Sequence, residues 1–287
     1  MNISYPSMSI LEQSDANNLY RVQSGMDLKP MKSIWRTTAA ALAAVTLVFG
    51  MTNPAQGKPL VKNRDYYEQR GDMIWEVHTS QKVIALTFDD GPDPSETDLI
   101  LEVLRQYNAK CTFFAIGKRI AAYPDVARRV ITDGHELANH TYNHIYFKKP
   151  VSGQQIQEEL ALTEKEIVKV SGRHSSLFRP PGGMYDETLV DISNSMGLTP
   201  VLWSWHQDTR DWNRPGVYSI ASRVIRNAHS GDIVLLHDHV HGQSQTLEAL
   251  KIILPELQKQ GFRFVTVSEM IGLSDFQQVK QRRQLAF

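Results

Sequence analysis

From about residue 80 to residue 270, short apolar runs alternate with stretches whose apolar residues recur at helical spacing. The runs at 83–88, 111–116, 135–138, 176–179, 199–204, 232–236 and 262–266 predict seven strands. Trp75-Glu76-Val77 predicts an edge strand ahead of them. Between the runs, Ser95 can cap a helix through Leu99, Leu101, Val103 and Leu104. Pro124 suits the first turn of a helix that Gly134 ends. Helices are also predicted over 153–170, 186–196, 216–228 and 244–260. The last carries Leu247, Leu250, Ile252, Ile253, Leu254 and Leu257 as a wide apolar stripe, with a kink expected at Pro255. Strands alternating with helices imply an α/β protein with a parallel sheet, either a barrel or doubly wound.

The start of the chain follows another pattern. Residues 1–30 are polar and aperiodic, which predicts disorder or absence from the mature protein. Lys32 and Arg36 then precede an apolar run from Ala39 to Met51, a break at Pro54 and the small-x-small site Ala55-Gln56-Gly57. Residues 31–57 therefore predict a signal peptide, or an anchor if it stays uncleaved, and an exported protein, secreted, periplasmic or cell-envelope associated. The apolar core is shorter than the roughly 20 residues a membrane span needs. Residues 58–80 predict a lead-in, 81–273 a single catalytic domain, and 274–287 a solvated tail.

Composition adds little. Net charge is zero, so nothing points to nucleic acid, and no protein partner is implied. Cys111, alone of its kind, lies in an apolar run and reads as a buried, inert thiol.

The polar residues that could carry chemistry gather at the ends of the predicted strands, where sites in α/β barrels lie. Asp89 and Asp90 end the first strand, before Gly91-Pro92. One acid there can bind a metal while the other handles a proton. His140 and His144 follow the third strand four residues apart, and a helix would bring both rings to one face to grip an ion. Arg179 closes the fourth strand before Pro180-Pro181-Gly182-Gly183, a rigid turn whose bare N–H groups a ligand can approach. The fifth is followed by Trp205, Asp208, Asp211 and Trp212, acids beside flat aromatic surface. The sixth ends in His237, a suitable general acid. His239 could also line the cleft.

These segments, at 87–92, 140–144, 179–183, 208–212 and 235–237, resemble in order the motifs of the polysaccharide deacetylase family, carbohydrate esterase family four, with its NodB-type domain. The resemblance implies a distorted (β/α)7-type barrel. It implies that Asp89 is the general base, oriented by Arg179, and that Asp90, His140 and His144 hold one divalent metal ion. Zinc suits these ligands best, and cobalt, nickel or iron could use them. It further implies that His237, paired with Asp211, is the general acid. Trp212 and Leu235 would line the acetyl pocket, and the Gly182 N–H would hold the oxyanion. Many relatives carry tyrosine where this chain has Gly182, so the N–H is kept while a ring is missing from the groove wall.

The activity so implied is metal-dependent removal of N-acetyl groups from N-acetylglucosaminyl residues of a cell-envelope polysaccharide, peptidoglycan or chitin-like oligomers, with release of acetate. An O-acetyl esterase and a catalytically silent carbohydrate-binding protein are the alternatives. The full set of acids and histidines argues against the latter.

Overall fold

The computed structural model describes residues 62–147 and 151–275. The leader read at 31–57, the residues before it and the tail from 276 lie outside the described residues. In chain order the elements are α1 (Arg64–Arg70), β1 (Val83–Asp89), α2 (Thr97–Gln106), β2 (Thr112–Ala115), α3 (Gly117–Ala122) and α4 (Pro124–Thr132). There follow β3 (Glu136–Asn139), α5 (Gly153–Ser171), β4 (Leu177–Phe178), α6 (Glu187–Ser195) and β5 (Thr199–Pro200). The chain continues through α7 (Val217–Arg226), β6 (Ile233–His237), α8 (Thr246–Lys259), β7 (Arg263–Phe264) and α9 (Val267–Gly272). Each strand falls inside or beside one of the apolar runs. Among the described residues no helix is long and apolar enough to cross a membrane.

The strands run in the order β5-β4-β3-β2-β1-β6, all parallel, and β7 pairs separately with Val83 and Ile84 of β1. The sheet is the distorted barrel expected, left unclosed between β5 and β6. Irregular backbone spans that seam. Ser204 N–H donates to the Ile233 carbonyl at 3.0 Å, and Asp208 bridges to Leu235. The lead-in crosses the same region through bridges at Ile74 and Glu76, not through the edge strand expected at 75–77. Trp75 is buried there beside Tyr67, Met73 and Leu202.

Strand β1 positions the site. All seven of its residues are buried. Ile84, Leu86 and Phe88 face the helical layer of α2 and α8, whereas Val83 and Ala85 pack inside the barrel with Phe114, Ala138 and Val201. Strand alternation then turns Thr87 and Asp89 into the barrel interior as well. Asp90 leaves the pleat at φ 76°, and a tight turn through Gly91 and Pro92 follows.

Several local expectations change. Ser95 does not cap α2. Asp93 Oδ1 accepts the N–H groups of Ser95 and Glu96 at 2.8 and 3.2 Å, and the Ser95 hydroxyl donates to the same oxygen. Helix α8 continues through Pro255. Strand β5 stops at Pro200, short of the expected 204, because the next carbonyls bind a side chain rather than a strand, as described below. Helices α1, α3 and α9, of 7, 6 and 6 residues, are too short for a period to show in sequence.

The turn after β1 tolerates only glycine at 91. A Cβ there would lie 2.1–2.4 Å from the carboxylate of Asp238, which is buried and accepts the Thr97 hydroxyl at 2.6 Å. Gly91→Ala is therefore expected to lower unfolding free energy by about 1–3 kcal/mol, the usual cost of overpacking. A urea-denaturation midpoint equal to that of the unaltered protein would show that Asp238 yields freely.

Candidate active site

The barrel's C-terminal end opens into a cleft of about 350 Å³ lined by Asp89, Asp90, His140, His144, Tyr146, Gly182, Trp203, Asp208, Trp212, Leu235 and His237. The acids of β1, the histidines after β3 and the histidine ending β6 meet there. Arg179 lies beneath, fully buried.

Arg179 is spent entirely on internal partners. Its guanidinium donates to Asp89 Oδ1 and Thr87 Oγ1, both at 2.7 Å, and to the Val201 and Leu202 carbonyls at 3.0 and 2.9 Å. It lies over the Phe114 ring, 4.0 Å from the centroid. This arginine claims the carbonyls that would otherwise extend β5. Asp89 is thereby fixed by one oxygen, with Oδ2 3.8 Å from His140 Nε2.

Asp90, His140 and His144 converge. Asp90 Oδ1 lies 3.3 Å from His140 Nε2 and 3.0 Å from His144 Nε2. The segment 140–144 is not helical. It is a loop in which Thr141 and His144 take left-handed backbone at φ 62° and 58°, and that turn, rather than a helix face, brings the rings together. His140 Nδ1–H donates to the Arg179 carbonyl at 2.7 Å, which leaves Nε2 as the free lone pair. Burial opposes charge on Asp90, yet the two imidazoles hold its carboxyl well below the usual carboxylate range. Its Oδ1 is buried without a hydrogen bond. An orphaned carboxylate oxygen facing two imidazole nitrogens is a donor set that fits one divalent ion.

Asp211 and His237 lie beside this cluster, His237 in register with Asp89 on the neighbouring strand β6. His237 Nδ1–H donates to Asp211 Oδ1 at 2.7 Å, leaving Nε2 for the cleft. Asp211 is fully buried and also accepts the His237 N–H, the Trp212 N–H and the Thr246 hydroxyl. Burial pulls the His237 pKa down, but the charge and hydrogen bond of Asp211 outweigh it, and His237 is pushed up to about 9.

Other residues fall differently from expectation. Trp205 stands outside the cleft, 67% exposed, under the Arg64 guanidinium. Trp203, in the run predicted as strand, lines the cleft instead. His239 pairs with Asp93 at 2.8 Å and does not line the cleft. Cys111 is buried, as read. Tyr146 went unnoticed in the sequence, although it follows His144 by only two residues. Its ring packs edge-on against His144 at 5.0 Å and stands over Gly182, where a Cβ would come within 2.9 Å of it. The ring absent from position 182 is thus supplied by the loop after β3.

A parallel barrel with an arginine-held carboxylate, a carboxylate-held histidine and a carboxylate–histidine cluster at its strand ends is the build of a hydrolase. The chain belongs to the polysaccharide deacetylase family, carbohydrate esterase family four. The family's polysaccharide deacetylase model matches residues 76–201, which include Asp89, Asp90, His140, His144 and Arg179. A peptidoglycan-N-acetylglucosamine deacetylase of Bacillus cereus is 48% identical over 208 residues, covering 72% of this chain and 97% of that one. The crystal structure of a peptidoglycan N-acetylglucosamine deacetylase superposes with a TM-score of 0.69 at 31% identity, covering 72% of this chain and 96% of the other. A family-four acetyl xylan esterase from Clostridium thermocellum, solved with a cobalt ion, gives a TM-score of 0.62 at 36% identity over 67% of this chain and 91% of its own.

Proposed function

We propose that this enzyme removes N-acetyl groups from N-acetylglucosaminyl residues within peptidoglycan, with chitin-like oligomers as second substrates. The observation that carries the reading is the placement of two proton carriers side by side at the mouth of one cleft, in register on neighbouring strands, Asp89 held by Arg179 and His237 held by Asp211. The likeness to the Bacillus cereus deacetylase supports the choice of polymer. A cell-wall substrate also accords with the export leader read at 31–57.

Asp90, His140 and His144 would hold one divalent ion, zinc by ligand preference, with cobalt, nickel or iron as alternatives. When bound, the ion would polarise the acyl oxygen and lower the pKa of water. Asp89 takes the proton of the attacking water. Arg179 keeps that carboxylate aimed. The Gly182 N–H donates to the developing oxyanion. His237 Nε2–H protonates the departing amine, and the buried Asp211 charge stabilises the imidazolium. Trp212 and Leu235 bound the space for the acetyl methyl, and the Tyr146 and Trp203 rings wall the groove. Adjacent carboxylates on one strand end do not flank a sugar bond in the way a glycosidase requires.

The test is mass spectrometry of N-acetylglucosamine oligomers and purified peptidoglycan. Each event should remove about 42 mass units with no shortening of the chain, as amide hydrolysis demands. Shortened oligomers that keep their acetyl groups would overturn the reaction class. The acetyl xylan esterase likeness supports a second reading, O-deacetylation, and acetate released only from acetylated xylan would replace the first with it.

A pH profile tests the acid. His237 must be protonated, so activity is lost as pH rises through its pKa, which the Asp211 pair raises, and kcat/KM is expected to fall on the alkaline side. Asp211→Asn removes the charge that raises this pKa and should move the limb toward lower pH. An unmoved limb would disconnect the pair.

A further inference from the structure

A second cluster lies at the other end of β6, in front of its first residue. Asp232 precedes Ile233, whereas His237 ends the strand, so five residues at about 3.3 Å each put the two roughly 16 Å apart. Asp232 is buried, but His206 and His229 beside it reach solvent. His206 Nε2 lies 3.0 Å from Asp232 Oδ2 and 3.4 Å from His229 Nδ1, and His229 Nδ1 lies 3.8 Å from the same oxygen. A point equidistant from these three atoms is about 2.0 Å from each, the usual zinc–nitrogen and zinc–carboxylate length. The two rings stand at 83° with centroids 5.2 Å apart, close to the 5.1 Å of His140 and His144.

We propose that His206, His229 and Asp232 form a second divalent transition-metal site, separate from the catalytic cleft. The carboxylate is prearranged for it. Asp232 Oδ2 accepts the Gln207 side-chain N–H at 3.0 Å and the His229 backbone N–H at 2.8 Å, and Gln207 is itself held to the Asn227 carbonyl at 2.9 Å. Without an ion, the His206 Nε2–H closes the cluster by donating to the carboxylate. Binding through Nε2 moves the His206 proton to Nδ1 and leaves two neutral imidazoles and one carboxylate as ligands, a donor set that suits zinc, nickel or copper over magnesium or calcium. Such an ion clips the turn Trp205–Gln207 to the turn that leads into β6. The site supplies three protein ligands and stays open to solvent, so it should bind more weakly than a closed structural site.

The experiment is equilibrium dialysis of the full chain, stripped by chelator, against zinc chloride, with zinc counted by elemental analysis. Two zinc ions per chain are expected, the second weaker. His229→Ala and His206→Ala should each lose one ion and keep the other. His140→Ala should lose the other, and His140→Ala/His229→Ala both. Zinc should raise the Tm of His140→Ala, and this rise should vanish when His229→Ala is added. The deacetylase activity of His229→Ala should equal that of the unaltered enzyme. One zinc per chain in the unaltered protein, or two in both His206→Ala and His229→Ala, would overturn the site.

Discussion

His140→Ala is expected to lose its catalytic ion and to lower kcat/KM by roughly 10³-fold or more, because Lewis-acid assistance supplies several kcal/mol and each 1.36 kcal/mol is tenfold. The imidazole is one of three members of the donor set. Its Nε2 faces Asp90, and its Nδ1 is locked on the Arg179 carbonyl. Alanine removes a ligand and leaves Asp90 with His144 alone. The hydrophobic layers are untouched, since none of the core clusters includes residue 140. Far-UV circular dichroism should therefore stay that of a folded protein, while elemental analysis finds the catalytic position empty. Full occupancy with lost activity would mean that His140 acts on the substrate and not on the ion.

Arg179→Met should do still more damage to the fold. The guanidinium is fully buried and serves four acceptors, Asp89, Thr87 and the carbonyls of Val201 and Leu202. Removing one partner of a buried ion pair leaves the other charge uncompensated, at a cost of about 3–5 kcal/mol. Stability should fall by that amount and activity should vanish, because Asp89 loses the partner that aims it. Adding Asp89→Asn should restore part of the stability and none of the activity. Arg179→Lys should not rescue either property, since one ammonium cannot reproduce a planar fork of donors. A single Arg179→Met variant with unaltered unfolding free energy would show that the Arg179–Asp89 pair adds nothing to stability.

The seven strands were legible because they are short, buried and apolar. Their ends were less so. The run at 199–204 looks uniform, yet only Thr199 and Pro200 pair as strand, since a distant arginine recruits the next carbonyls. That competition cannot be seen in local sequence. The histidine pair was legible as chemistry and misleading as conformation. Spacing of four suggests a helix, but the loop reaches the same end with positive φ at Thr141 and His144. Tyr146 and Trp203 were hidden for different reasons. An isolated tyrosine in a loop has no period, and a tryptophan in an apolar run reads as core. Asp93, which ties the turn ahead of α2, was masked by Ser95, the more obvious cap candidate two residues later.

Asp90 and His144, two of the three residues of the proposed ion site, both adopt left-handed backbone, as does Thr141 between the histidines. For residues other than glycine this conformation costs on the order of 1–2 kcal/mol each. The barrel therefore holds its grip already cocked before any ion arrives, and part of the folding energy is stored in the loops above the sheet. Such a site gives up little entropy on capture, so the ion should enter without rearranging the chain. The same tension makes these loops the first part of the molecule to slacken when the strands beneath them loosen. Amide hydrogen exchange should show Asp90 and the 140–144 loop losing protection ahead of β1 in mild denaturant, and regaining it together when the ion is restored.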